Sequence, residues 1–245
     1  MRSTPDTEWA IKAEDLSLAY RVGRPWNKKQ HIEVLKSLSF EIRHGETFGV
    51  MGRNGCGKSS LLRILAGVIR QGSGTLDFRH IKSKSLLSLG LGFNMNLSGR
   101  DNSILSLMLQ GTPKLAAIEM LGKIKEFSEL KEYFDLPVRT YSSGMRSRLG
   151  FAVAITANTD LLLIDETLSV GDVHFRKKAE SEMMEKLNSN QTIVFVSHNA
   201  QQVANLCQNA IWLDNGSIRA SGETKEVTKE YQAFMTSLDT VIYSV

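Results

Sequence analysis

Gly52-Arg53-Asn54-Gly55-Cys56-Gly57-Lys58-Ser59 fits the spacing G-x-x-x-x-G-K-[ST] without a mismatch. Residues of these types at this spacing hold phosphate. The glycines let successive backbone N–H groups turn inward around an oxyanion, and a helix that opens at the loop adds the favourable end of its dipole. Lys58 then faces the β- and γ-phosphates of a nucleotide as a point charge. The Ser59 hydroxyl is of the kind that ligates Mg²⁺, and Ser60 follows it on the same turn. The context agrees: the strand-like run Phe48–Met51 precedes the loop, and Ser59–Ile69 carries apolar residues at helical spacing. The competing reading is a plain glycine turn before a helix with a surface lysine.

A second group of residues complements the first. Leu161-Leu162-Leu163-Ile164-Asp165-Glu166 is an apolar strand ending in two acids, with Asp165 standing 107 positions after Lys58. Asp165 at a strand tip suits Mg²⁺, held directly or through water. Glu166, one residue on, suits orientation and deprotonation of an attacking water. Alone, the pair would read equally well as two solvated acids capping a strand. Tyr141-Ser142-Ser143-Gly144-Met145 stands before a helical stretch and offers hydroxyls and backbone N–H groups at a helix N-terminus, a second anion site. The alternative there is a simple serine N-cap. One chain needs a single phosphate cradle, so a second implies a nucleotide clamped between two chains.

The elements that must carry these groups are legible from periodicity. Ile11–Tyr20 and Val34–Ile42 alternate apolar and polar residues as half-buried strands do. Gly72-Ser73-Gly74 reads as turn chemistry. From about 101 to 157 the pattern is helical, with breaks at Gly111–Pro113 and Asp135–Gly144. The chain then alternates: a strand at Leu161–Ile164, a helix over about 175–187, a strand at Thr192–Val196, a helix over about 200–207, a strand at Ala210–Leu213. Strands followed by helices predict a parallel sheet covered on both faces, interrupted by a helical insertion.

Composition excludes several classes. The chain has 245 residues, 42% hydrophobic and 23% charged, the balance of an ordinary globular protein able to bury its own core. No apolar run approaches the length of a membrane span. The N-terminus carries acids where a secretory leader would be apolar, so the chain is expected to stay in the cytosol. A net charge of +4 is too small and too dispersed to argue for nucleic acid. Cys56 and Cys207 are the only cysteines and make neither a zinc framework nor an expected disulfide.

Further residues carry a family resemblance. Tyr141–Met145 resembles the signature loop of ABC ATPases in a YSSGM form. Leu168-Ser169-Val170-Gly171-Asp172 resembles their D-loop, and Val196-Ser197-His198-Asn199 their switch-histidine loop. With the phosphate loop and the acidic strand, these motifs fall in the family's order over nearly the whole chain. The resemblance implies an α/β P-loop ABC domain over 1–245: a mostly parallel core with an antiparallel β portion (about 8–92 and 158–223), a helical subdomain (about 93–157) and a short helical tail (about 224–245). It implies ATP and Mg²⁺ as ligands and ATPase activity, with Glu166 as base and His198 at the γ-phosphate. It also implies a homodimer in which Tyr141–Met145 meets the ATP of the opposite chain. Asp172 would communicate across that dimer or merely cap a helix. Tyr20 would stack on adenine or merely pack on the core.

YSSGM, the LSVGD form of the D-loop and Gly90-Leu91-Gly92-Phe93…Leu97-Ser98-Gly99-Arg100-Asp101-Asn102 resemble one branch, the exporters of bacterial O-antigen, capsule and teichoic acid. That implies two copies of a membrane permease as partners and a lipid-linked glycan as cargo, at the cytoplasmic face of the membrane and with no nucleic acid. Another cargo, or a soluble ABC ATPase of DNA repair or translation, is the alternative. A nucleotide-regulated adaptor without hydrolysis is disfavoured by the intact Asp165-Glu166 pair. About twenty residues follow Gly222, so glycan ends are expected not to be read by this chain. One departure stands out: no glutamine lies between Gln71 and Gln110, where the family places one, and Ser88 and Asn94 are its candidate replacements. Arg21–His31, with Arg21, Arg24, Lys28, Lys29 and Trp26, is either a solvated loop or a contact for lipid headgroups or the permease. Cys56, beside a helix start and Lys58, is expected to have a lowered thiol pKa.

Overall fold

A computed structural model describes residues 8–22, 30–87, 92–165, 173–187 and 191–242. The chain is α/β and divides into two units, Met1–His80 with Thr192–Val245, and Ile81–Gln191. In the first unit the alternating runs become β1 (Trp9–Val22) and β2 (Gln30–Arg43), paired antiparallel. Their inward residues, Ile11, Ala13, Leu16 and Leu18 against Leu35, Leu38, Phe40 and Ile42, are all buried. The register shifts near Asp15, whose φ is +50°, and Ser37 at +51° sits across from it. There the Ser37 Oγ donates to Asp15 Oδ1 (2.7 Å), and the Ser37 N–H donates to Ser17 Oγ (2.8 Å). Next come β3 (Thr47–Met51), helix α1 (Lys58–Leu65) and β4 (Ser73–Phe78), which pairs antiparallel with the free side of β1. The turn expected at Gly72–Gly74 is therefore half strand, because β1 supplies Ser73–Phe78 with a ladder that local sequence does not reveal.

The second unit opens with β5 (Lys84–Leu87). Helices α2 (Gly99–Leu109), α3 (Lys114–Glu119) and α4 (Leu121–Ser128) follow, then two short 3-10 turns (Lys131–Asp135 and Val138–Thr140), α5 (Ser143–Thr156), β6 (Leu161–Ile164) and α6 (Val173–Leu187). β5 and β6 pair in parallel. Asp160 fixes where they start: its Oδ2 accepts from the Lys82 and Ser83 N–H groups (2.8 Å each) and from Ser83 Oγ (2.9 Å). Phe127, Phe151 and Phe175, from α4, α5 and α6, meet with ring centroids 5.6 to 6.0 Å apart and anchor the helices to one another.

The chain returns to the first unit through β7 (Thr192–Ser197), α7 (Ala200–Leu206), β8 (Asn209–Asp214), β9 (Ser217–Glu223) and α8 (Thr224–Ile242). In this unit β7, β3 and β8 are parallel neighbours with β3 in the centre, and β9 closes antiparallel on β8. Every residue of β3 and β7 is buried, the pattern of a parallel sheet covered on both faces. The hairpin from β8 to β9 turns on Asn215 (φ +49°) and Gly216 (φ +83°), the pair of left-handed residues a two-residue turn needs. The strands read from periodicity at 11–20, 34–42, 161–164, 192–196 and 210–213 all lie within observed strands.

Asn102 carries a disproportionate share of local order in the second unit. Its side chain is 2% exposed; Oδ1 accepts from the Asn94 N–H (2.8 Å), and Nδ2 donates to the carbonyls of Asn94, Leu97 and Ser98 (2.9 to 3.2 Å). Asn102→Ala strands several of these groups, and a loss of about 3 kcal/mol in unfolding free energy is expected in denaturant titrations. A loss of under about 1 kcal/mol would show that the loop at 94–98 does not depend on this side chain.

Candidate functional site

The phosphate loop leaves the C-terminal end of β3 and enters α1. Its shape follows from close backbone approach. A Cβ on Gly52 would lie 2.2 Å from the Leu213 carbonyl oxygen of β8, and one on Gly57 would lie 2.8 Å from that of Val34 and 2.6 Å from Leu35 Cδ2. Gly55 differs, since its Cβ would meet nothing within 4 Å, and its requirement is a φ of +83°. Gly57 precedes α1 with no side-chain cap, leaving the first N–H groups of that helix for an anion. The Lys58 side chain is buried and folds back over the loop, its Nζ donating to the carbonyls of Gly52 (2.7 Å) and Arg53 (3.1 Å). Arg53, Asn54 and Ser59 are exposed.

Other expected site residues of the first unit sit where the parallel sheet brings them. Met51 pairs with Ser197, so His198 leaves β7 at the level where the loop leaves β3, with its side chain exposed. The following turn is held firmly: Ser197 Oγ accepts from the Asn199 N–H (3.0 Å) and lies 3.0 Å from Gln202 Oε1, and Asn199 Oδ1 caps α7 through the N–H groups of Gln201 and Gln202. Tyr20, at 37% exposure, is not packed into the core; its hydroxyl lies 3.4 Å from Ser60 Oγ, at the start of α1.

In the second unit, Asp165 directly follows the fully buried β6 and is half-buried. Tyr141 is buried, its hydroxyl donating to the Tyr133 carbonyl (2.6 Å), and burial pushes its phenol up to about 12. It anchors the serine loop from below. The Arg146 guanidinium donates to the Tyr141 carbonyl (2.6 Å), and Ser142 Oγ caps α5 by accepting from the Met145 N–H (3.1 Å). Ser142 thus serves as the N-cap, while Ser143 opens the helix with an exposed side chain and Gly144 and Met145 complete its first turn. Glu166, Asp172 and Ser88, with Arg24, Trp26, Lys28 and Lys29, lie outside the described residues.

One expectation needs revision. Cys56 is buried, and that burial raises its thiol pKa above the ordinary value; the nearby Lys58 charge pulls it down, but less strongly. Desolvation outweighs the helix-start argument here. Asn94 is exposed, its Oδ1 accepts from the Asn96 N–H (3.0 Å), and its backbone is gripped by Asn102, so its side chain closes a local turn. Sequence reasoning missed Asn102. The available signal was a polar residue four positions after the Ser98 cap, on the side of α2 where the apolar pattern points inward.

Comparison with known proteins decides the family. Residues 35–169 match the family model described as ABC transporter. The chain belongs to the ABC transporter family. This ABC chain is similar to the teichoic acids export ATP-binding protein TagH of Enterococcus faecalis, with 43% identity over 209 residues covering 85% of this chain and 46% of that one. It is also similar to the O-antigen export system ATP-binding protein RfbB of Myxococcus xanthus, with 42% identity covering 82% of this chain and 46% of that one. The chain therefore spans a little under half the length of these two relatives. A solved ATP-binding cassette, in a dimeric post-hydrolysis state bound to ADP and Pi, shares the fold: the TM-score is 0.72 over 87% of this chain and 98% of that chain, at 20% identity. No described helix is long and apolar enough to cross a membrane.

Two measurements check the loop geometry. Gly57→Ala meets both an unfavourable φ of +110° and a backbone carbonyl, whereas Gly55→Ala meets only the former, so Gly57→Ala should lower the melting temperature more. Equal losses would mean the contact with β2 is unimportant. The rate of Cys56 alkylation should keep rising at a pH where a small free thiol has already levelled off, because burial disfavours the thiolate. A profile that levels off at or below the pH of the small thiol would contradict the buried placement.

Proposed function

We propose that the chain is the ATP-hydrolysing subunit of an ABC exporter that drives a lipid-linked surface polysaccharide, of the teichoic acid or O-antigen kind, across the membrane. It acts at the cytoplasmic face as an ATP-sandwich homodimer beneath two copies of a permease, and the glycan passes through the permease without binding this chain. The observation that carries the ATPase reading is the glycine-shaped loop that leads into α1 with Lys58 Nζ drawn over its carbonyls. The cargo reading rests on what the similar proteins are named for, at about 40% identity.

In this reading the loop N–H groups and Lys58 hold the β- and γ-phosphates. Lys58 must leave the Gly52 and Arg53 carbonyls to do so, exchanging two internal hydrogen bonds for a charged partner. Tyr20 lies against adenine. Glu166 takes the proton of the attacking water, and His198 donates a hydrogen bond toward the γ-phosphate. Tyr141–Met145 of one chain presents its exposed Ser143 and the N-terminus of α5 to the nucleotide of the other, and Asp172 lines the junction. In the same reading Ser59 and Asp165 would hold Mg²⁺, because hydroxyl and carboxylate oxygens are the hard ligands that ion takes. When bound, the ion neutralises charge developing on the phosphoryl oxygens.

Glu166→Gln keeps size and water contact but loses basicity. ATP affinity should persist while turnover falls by roughly 10²- to 10⁴-fold, the range for losing a general base. Lys58→Ala should weaken both binding and turnover, since the cation faces phosphate in ground and transition states alike. Steady-state hydrolysis and equilibrium binding, measured with the permease present, test both variants. Hydrolysis by Glu166→Gln at the parental rate would remove Glu166 from the mechanism. Export of surface glycan in cells carrying Lys58→Ala would remove the cargo assignment.

A further inference from the structure

Arg219 occupies an irregular position with a consequence for the phosphate loop. In the β8–β9 ladder Trp212 pairs with Ala220, but Leu213 pairs with Ile218, so Arg219 is the extra residue of a bulge. Bulges re-aim side chains. This one sets the guanidinium against two rings, with Cζ 4.7 Å from the Trp212 centroid and 4.2 Å from that of Phe234 on α8. The rings are themselves 5.1 Å apart, and Tyr231 of α8 meets Trp212 edge-on at 5.5 Å. So held, Arg219 donates from Nη1 to Asp214 Oδ2 at 3.1 Å, and the Asp214 side chain is only 20% exposed.

Asp214 is the residue after Leu213, whose carbonyl abuts Gly52, and β8 carries it beside the loop that follows Met51, the partner of Trp212. Its charge reaches the loop: burial is the main force raising the Cys56 thiol pKa, and the Asp214 carboxylate raises it further. An anion at this place repels the phosphates that the loop is built to receive. An exposed ion pair ordinarily contributes little, because side-chain freedom and solvent dilute it. The Arg219 side chain is 47% exposed, so solvent screens the pair in part, but two aromatic faces fix the cation and the rest of its neutralising effect persists.

We propose that Arg219 is a positioning residue of the nucleotide site: braced by Trp212 and by Phe234 of α8, it neutralises Asp214 and so keeps the field at the phosphate loop favourable to a nucleoside triphosphate. The inference rests on the reading of Gly52–Ser59 as the nucleotide loop. It makes α8 a determinant of nucleotide affinity, although that helix supplies no expected ligand.

The test compares the parental chain with Arg219→Ala, Asp214→Asn and the double variant. Binding of Mg²⁺ with the non-hydrolysable analogue AMP-PNP is measured alongside the rate of Cys56 alkylation at one fixed pH, in a Cys207→Ala background. Arg219→Ala should weaken binding by roughly three- to tenfold, the size of one partly screened charge near the phosphates, and slow alkylation. The double variant should restore both to near the parental values, because the repelling charge has gone. Parental affinity in Arg219→Ala, or a double variant that binds as weakly as Arg219→Ala, would overturn the proposal, since a purely architectural arginine is not rescued by removing a carboxylate. If the parental chain binds no nucleotide, the ATPase reading fails. The order of alkylation rates still decides whether Arg219 screens Asp214 at the loop.

Discussion

The structure depends on how closely the backbone of the phosphate loop approaches the strands beside it. Gly52 lies against the Leu213 carbonyl of β8, and Gly57 against Val34 and Leu35 of β2, at separations that no side chain tolerates. The hairpin glycine Gly216 repeats the device: a Cβ there would lie 2.6 Å from the Val34 carbonyl, while the Lys36 N–H donates to the Gly216 carbonyl at 2.7 Å. The loop is therefore shaped at its two ends by elements far from it in sequence. For the phosphate proposed to bind there, a loop held in this way is organised before the ligand arrives, which lowers the ordering cost of binding.

This constraint explains the division of labour between buried and exposed polar groups. Lys58 is buried but satisfied by two carbonyls, so its charge is held without a strong desolvation penalty. Glu46, also buried, accepts from the Arg43 N–H (2.8 Å) and from Asn209 Nδ2 (2.5 Å), tying the end of β2 and the start of β8 to the base of β3. Ser142 and Ser143 are both exposed, and Ser142 spends its hydroxyl on the cap of α5. Lys58 and Tyr141 are thus buried and satisfied internally, whereas Ser59, Ser143 and His198, also expected to meet nucleotide, are exposed.

Much of this was legible in the sequence because it is local. The phosphate motif, the apolar strand before Asp165 and the alternation of β1 and β2 each need only neighbouring residues to be recognised. What escaped is non-local. β4 has no continuous apolar pattern and exists because β1 offers a ladder. β9 was missed although Asn215-Gly216 is a strong hairpin signal, since its strand is half-exposed and lacks a run of apolar residues. Asn102 and Arg219 matter through where a capped loop and a bulge place them, and neither residue type betrays this at its position. Cys56 shows the opposite error: its sequence neighbours argued for a lowered thiol pKa, and tertiary burial outweighed them.

The central claim is that affinity resides in a preformed backbone cradle for phosphate, with the base a secondary contact near Tyr20. Competition against a fluorescent ATP analogue measures this directly, using ATP, ADP, AMP and adenosine in turn. ATP and ADP should compete strongly and AMP should fall behind by at least about tenfold, a difference of about 1.4 kcal/mol, with adenosine weaker still. AMP or adenosine competing as well as ATP would place the binding energy in the base and contradict the claim.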